Sequence, residues 1–187
     1  MSSHDGRQTP FPPDSTMNQD NAPWTHASVA RLAAVQALYE IEVAEAPAER
    51  VLESLSDGRW MAFASEIEPE DEFADEPVTL PEPNRRMVRM VVHGVLGDLA
   101  ALDEQIVSQM SDAESFRMLE AVARAILRAA AYELSHTPQV PVGTITSDYV
   151  AIANAFFTES QPSMINAVVD GMATRVRGSE SKANLAG

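Results

Sequence analysis

Residues 84–110, NRRMVRMVVHGVLGDLAALDEQIVSQM, decide the fold. Val88, Val91, Val92, Val95, Leu99, Leu102, Ile106 and Met110 recur at steps of three and four, the spacing that brings them to one side of an α-helix. The spacing predicts one long helix with a single buried stripe. Outward toward the C-terminus, Phe116, Leu119, Val122, Ala123, Ile126, Ala130 and Leu134 repeat the pattern, and the two prolines of Ser135–Pro141 end it. Two shorter helices follow. Ile145–Phe157 turns Tyr149, Ile152, Ala153 and Phe156 inward; Pro162–Arg177 does the same with Ile165, Val168, Val169, Met172 and Val176, and Pro162 suits a first turn. Outward toward the N-terminus, Leu32, Val35, Tyr39 and Val43 share one face of a helix starting at a Ser28 cap and stopped by Pro47. A short helix is expected over Ala48–Leu55. No stretch alternates at the strand period, so the expected fold class is all-α.

The chain of 187 residues has room for one ordinary domain. Its 28 acids and 13 Lys and Arg leave a formal charge of −15, and that charge is uneven. Asp57–Glu82 holds nine acids against Arg59 alone, a balance of −8, whereas Pro83–Gly187 holds 11 acids against 9 bases, a balance of −2. The overall acidity therefore does not forbid a local basic surface. The domain is expected at 24–177, divided into a helical sub-bundle at 24–67, a flexible acidic loop at 68–83 and a second sub-bundle at 84–177. Tails at 1–23 and 178–187 are expected to be disordered. Apolar runs are broken too often for the roughly 20 residues of a membrane span. The N-terminus lacks the order of a secretory signal. With no cysteine, disulfides and thiolate metal sites are excluded. The cytoplasm is the expected compartment.

Chemistry-bearing patterns are sparse. His4, His26, His93 and His136 never reach the spacing of a helical metal site, and His93 reads as a surface or boundary histidine. The eight glycines form no phosphate-cradling loop, and no Ser, His and Asp arrangement suggests a nucleophile. Asp103 and Glu104 read as solubilising charge. No catalytic residue, metal or cofactor is expected, and the chain reads as a binding protein, not an enzyme. Two constellations stand out. Glu120, Arg124 and Arg128 lie at four-residue steps, which fits either a surface ion-pair ladder or guanidiniums held ready for phosphate. Asn166 and Asp170 lie one turn apart, where mid-helix Asn is unfavourable unless a polar contact compensates.

Several segments together resemble the family of the transcription antitermination factor NusB. They are Ala30-Arg31-Leu32, Ala34-Val35-Gln36-Ala37-Leu38-Tyr39, Gly94-Val95, Leu102-Asp103, Arg124-Ala125-Ile126-Leu127-Arg128, Ala131-Tyr132-Glu133-Leu134, Val140-Pro141 and Ile165-Asn166-Ala167-Val168-Val169-Asp170. The resemblance covers Ser28 to Arg177 except the acidic insertion. It implies two packed helical sub-bundles, and a factor that binds the boxA segment of ribosomal RNA leader transcripts together with NusE, a small-subunit ribosomal protein. That assembly would join the RNA polymerase antitermination complex and promote read-through. Single-stranded RNA would be read by stacking and base-edge hydrogen bonds, with arginines on phosphate.

The resemblance implies Arg31, Gln36, Arg124, Arg128, Met164 and Asn166 as RNA-binding candidates. The sequence also departs from the family. Its first helix opens His26-Ala27-Ser28-Val29-Ala30-Arg31 in place of an arginine cluster, Thr146-Ser147-Asp148 replaces an Ile-Asn-acid pattern, and Asn154 replaces a lysine. Met164-Ile165-Asn166-Ala167 replaces an aromatic-Val-Asn-Gly motif. RNA binding weaker and less salt-sensitive than the family norm is therefore expected. The alternative expectation is a diverged interaction module, binding NusE or forming a homodimer, with weak or no RNA binding. The acidic segment Glu66–Glu82, folded across Arg31 and Arg128, would compete with RNA.

Overall fold

A computed structural model describes residues 25–55, 80–158 and 160–185, with side chains as far as Val176. The expected N-terminal tail, the end of the first sub-bundle with Trp60, Met61, Phe63 and Ile67, and most of the acidic loop lie outside the described residues. Eight α-helices follow one another among those residues, and they contain no strand. They are α1 (His26–Ala44), α2 (Ala48–Ser54), α3 (Arg85–Gly97), α4 (Leu99–Val107), α5 (Ala113–Arg117), α6 (Ala121–His136), α7 (Val142–Phe156) and α8 (Gln161–Leu185).

Local chemistry sets most boundaries. Thr25, not Ser28, caps α1: its side chain accepts from the Ser28 N–H at 3.1 Å. Ser28 itself is inside the helix and buried, because a cap must stand outside the turn whose donors it satisfies. The left-handed Glu45, at φ 49°, ends α1, and Pro47 stands just before α2. Asn84 caps α3 through the Met87 N–H at 3.1 Å, and Asp112 caps α5 through the Ser115 N–H at 2.7 Å.

Two expected helices are each divided. The stripe of 84–110 keeps its register, but Gly97 ends α3 and α4 begins at Leu99. Asp98 between them lies at φ −114°, ψ 20°. The Asp98 carboxylate meets the His136 ring at 3.2 Å, so the break is tied to the end of α6. The second break, Met118–Glu120, separates α5 from α6. There the Arg124 guanidinium donates to the carbonyls of Arg117, at 3.2 Å, and Leu119, which satisfies acceptors freed by the interruption. Val88, Val91, Val92, Val95, Leu102 and Ile106 of the expected stripe are buried, but Leu99, at the first break, is 37% exposed. At the end of the chain, α8 continues to Leu185, through part of the stretch expected as a disordered tail.

Alanine explains the centre. Ala30, Ala33, Ala34 and Ala37 of α1 and Ala123, Ala125, Ala129, Ala130 and Ala131 of α6 are all buried, and such small side chains let helix backbones approach closely. α6 is the hub, packing against α1, α3, α4, α7 and α8, while α1 packs against both α3 and α6. The expected sub-bundles thus share one continuous core, in which Val88, Val91, Val92 and Val95 of α3 meet the alanine face of α1. Gly94 is part of this fit: a Cβ there would fall 2.0 Å from the Tyr132 ring.

Candidate nucleic-acid interface

The six candidate residues divide among four places. Arg31 lies in the core, 1% exposed. Its Nε and one terminal nitrogen donate to the two Glu133 oxygens at 2.8 and 2.9 Å, and the other donates to Asp148 at 2.8 Å. The Tyr149 hydroxyl adds a third donor to Glu133, at 2.8 Å. Burial alone would lower the Arg31 pKa, but the Glu133 hydrogen bonds and the facing charges raise it above the ordinary value, so the group is permanently charged. Burial, then the Glu133 carboxylate, push the Tyr149 phenol well above its ordinary range. With its donors engaged and no solvent access, Arg31 is not placed to meet a phosphate. It ties α1 to α6 and α7, a correction to its expected role.

Arg124 and Arg128 are the pair of candidates that the structure brings together. Both reach back to Glu42 on α1, Arg124 through Nε at 2.9 Å and through a terminal nitrogen, Arg128 at 2.7 Å. Arg128 also grips Asp103 on α4 with two bonds of 2.7 and 2.9 Å and lies over the Phe116 ring, 5.5 Å from its centroid. Desolvation lowers the Arg128 pKa, yet Asp103 and Glu42 outweigh it, and the net shift is upward. The ladder expected along one helix face is instead a bridge between helices. Glu120, expected to support Arg124, accepts from the Gln161 amide at 3.2 Å. Asp103, expected as solubilising charge, is a structural partner, and sequence spacing carried no signal of that.

Gln36 faces a groove. α1 carries it beside Tyr39 and Val43, whose apolar spacing suggested a buried face, yet Tyr39 is 42% and Val43 56% exposed. The buried residues of α1 end at Leu38, and beyond it α1 overhangs a groove of about 460 Å³ walled by Glu120 just before α6, Val122 of α6 and Phe156 of α7. The Gln36 amide oxygen is buried without a hydrogen-bond partner among the described residues, as is that of Gln161 next to Glu120. A groove with aromatic walls suits a ligand with a flat or apolar body.

Asn166 lies in a second, shallow groove between α7 and α8, with Thr146, Ser147, Asp170 and Thr174. It donates to Asp170 at 3.3 Å, which answers the cost of an Asn in mid-helix. Met164 is half-buried and packs against the core from α8. His93 is exposed and meets Glu49 at 3.1 Å. Among the described residues no group of three or more His, Asp or Glu is arranged to hold a metal, and no helix is long and apolar enough to cross a membrane.

Helices pack around one core, with arginines turned inward onto carboxylates and grooves open beside α1 and between α7 and α8. The chain matches the NusB family over residues 28–174. It is 35% identical to the transcription antitermination protein NusB of Sinorhizobium fredii over 174 residues, 93% of this chain and 99% of that one. It is 36% identical to that of Rhodospirillum rubrum over 170 residues, 88% and 92% of the two chains. Among solved structures it is similar to T. maritima NusB, with a TM-score of 0.61, 23% identity and coverage of 82% and 93%. It is similar also to a chain in a structure described as a plectonemic RNA supercoil, with a TM-score of 0.62, 15% identity and coverage of 81% and 96%. At those identities the structures show a shared fold. The chain belongs to the NusB family of transcription antitermination factors.

Proposed function

We propose that this chain is a cytoplasmic antitermination factor that binds boxA-like RNA of ribosomal RNA leaders together with NusE and promotes read-through by RNA polymerase. The groove beside α1 carries the reading. There an exposed Tyr39 ring and the Phe156 side chain offer a stacking surface for a base. Arg31 acts at a distance: by anchoring α1 to Glu133 and Asp148 it holds Gln36 and Tyr39 over the groove. Met164 and Asn166 remain candidate base contacts on α8.

One observation favours a second reading. Arg31, Arg124 and Arg128 are engaged by carboxylates, which leaves them poor phosphate ligands and fits a module that keeps NusE or a second copy of itself while binding RNA weakly. Titrating labelled boxA-like RNA with and without NusE separates the two. Under the leading reading, Tyr39→Ala lowers RNA affinity in the NusE complex by about 5- to 150-fold, the range for one lost base stack of roughly 1–3 kcal/mol. RNA affinity that stays unchanged while NusE binding is lost assigns the groove to the protein partner. No RNA retention by the wild-type complex at any salt concentration refutes the leading reading.

A further inference from the structure

On a chain of charge −15, any RNA phosphate must be met by exposed cations close enough to escape screening. Arg31, Arg124 and Arg128 are turned inward. Three exposed arginines, by contrast, fall within five residues at the start of α3: Arg85, Arg86 and Arg89. Met87 and Val88 between them point toward the core, so the arginines fan over the solvent side of a fixed turn. That turn is fastened to the start of α1. The His26 ring donates to the Glu82 carbonyl at 2.7 Å, and the Asn84 N–H donates to the His26 carbonyl at 3.4 Å. Exposed Arg50 on α2 lies beside Glu49, the partner of Arg89.

We infer that Arg85, Arg86 and Arg89 form a phosphate-contacting surface for single-stranded RNA, an inference that rests on the RNA-binding reading above. Two features argue for an external anion here. The first turn of α3 holds two arginines and no acid, the opposite of what the positive end of a helix dipole favours, so an external anion adds a favourable charge there. The Arg89 link to Glu49, at 2.9 Å, joins two exposed side chains, and such pairs are weak enough to be exchanged for a phosphate. Arg85 and Arg89 stand one turn apart on the same face, with Cβ atoms separated by about 5–6 Å, so both can follow one strand.

The test is a salt titration of the full chain with NusE, using labelled single-stranded RNA carrying a boxA-like sequence and a scrambled RNA of equal composition. The Arg85→Gln/Arg86→Gln/Arg89→Gln variant is expected to bind both RNAs more weakly. Its plot of log affinity against log salt should be flatter by about two units, at ~0.7 per lost single-strand phosphate contact. Its melting temperature should be unchanged or higher. Arg117→Gln, which removes an exposed arginine paired with Glu114 on α5, should leave the slope unchanged. A wild-type complex that binds RNA, with a triple variant equal to it in slope and affinity, overturns this inference and leaves the functional reading standing. A loss confined to the boxA-like RNA with no change in slope also overturns it. A wild-type complex that binds neither RNA overturns both.

Discussion

Replacing Glu133 by Gln tests the buried junction of α1, α6 and α7. Glu133 is fully buried and accepts three hydrogen bonds, two from Arg31 and one from Tyr149. The amide keeps the shape and can still accept from Tyr149, but it removes the charge that balances Arg31. Removing one partner of a buried pair typically costs 3–5 kcal/mol, because the other charge is left in a low-dielectric site. Asp148, itself partly open to solvent, still holds one Arg31 nitrogen, so the low end is expected, about 3 kcal/mol. In a chain of this size that lowers the melting temperature by roughly 6–12 °C. Arg31→Met alone strands the Glu133 carboxylate and should cost at least as much. Arg31→Met/Glu133→Gln removes both charges and should cost well under the sum of the two, with a coupling of at least ~2 kcal/mol. Urea unfolding followed by circular dichroism and linear extrapolation measures all three. A loss below about 1 kcal/mol for Glu133→Gln, or singles that simply add, would show that the junction is not an energetically coupled unit.

Other expectations follow from single contacts. Gly94→Ala gains about 1 kcal/mol of helix propensity but drives a methyl into the Tyr132 ring, and overpacking of roughly 1–3 kcal/mol decides the sign as a net loss. In a Tyr132→Ala background the same change should become stabilising, and a calorimetric comparison of the four proteins checks this. Tyr149, whose pKa is raised by burial and then by Glu133, holds its proton more tightly folded than unfolded. Its contribution is therefore complete below the ordinary phenol value of about 10 and is lost as pH rises through the higher native value. During alkaline titration one of the three tyrosines should stay un-ionised until the protein unfolds, and Tyr149→Phe should abolish that late fraction of the tyrosinate absorbance.

Helical identity was legible because its signal is local. The stripe from Val88 to Met110 needs only neighbours three and four residues away, and it held its register across Asp98 even though the helix did not. The interruption falls at Gly97-Asp98, a local signal that the unbroken apolar spacing masked, and the Asp98 carboxylate there meets the distant His136 ring. Tyr39 and Val43 show the same limit. They continue the spacing of Leu32 and Val35, but nothing in α1 indicates that the core stops at Leu38, and their exposure is what opens the groove at Gln36. The candidate arginines failed as surface residues for a related reason: an exposed phosphate ligand and an interhelical ion pair have the same pattern on one helix.

By itself, then, the sequence determined the helical class, the family and the uneven charge, since periodicity and motif order act within a turn or are read in chain order. Tertiary structure alone decided which cations face solvent. The Arg31 partners are 102 and 117 residues away and the Arg124 partner on α1 is 82 away, so only packing of α1 against α6 and α7 brings carboxylate to guanidinium. Burial then makes those pairs obligatory, since a desolvated charge without a partner is costly, whereas Arg85, Arg86 and Arg89 at the start of α3 stay exposed.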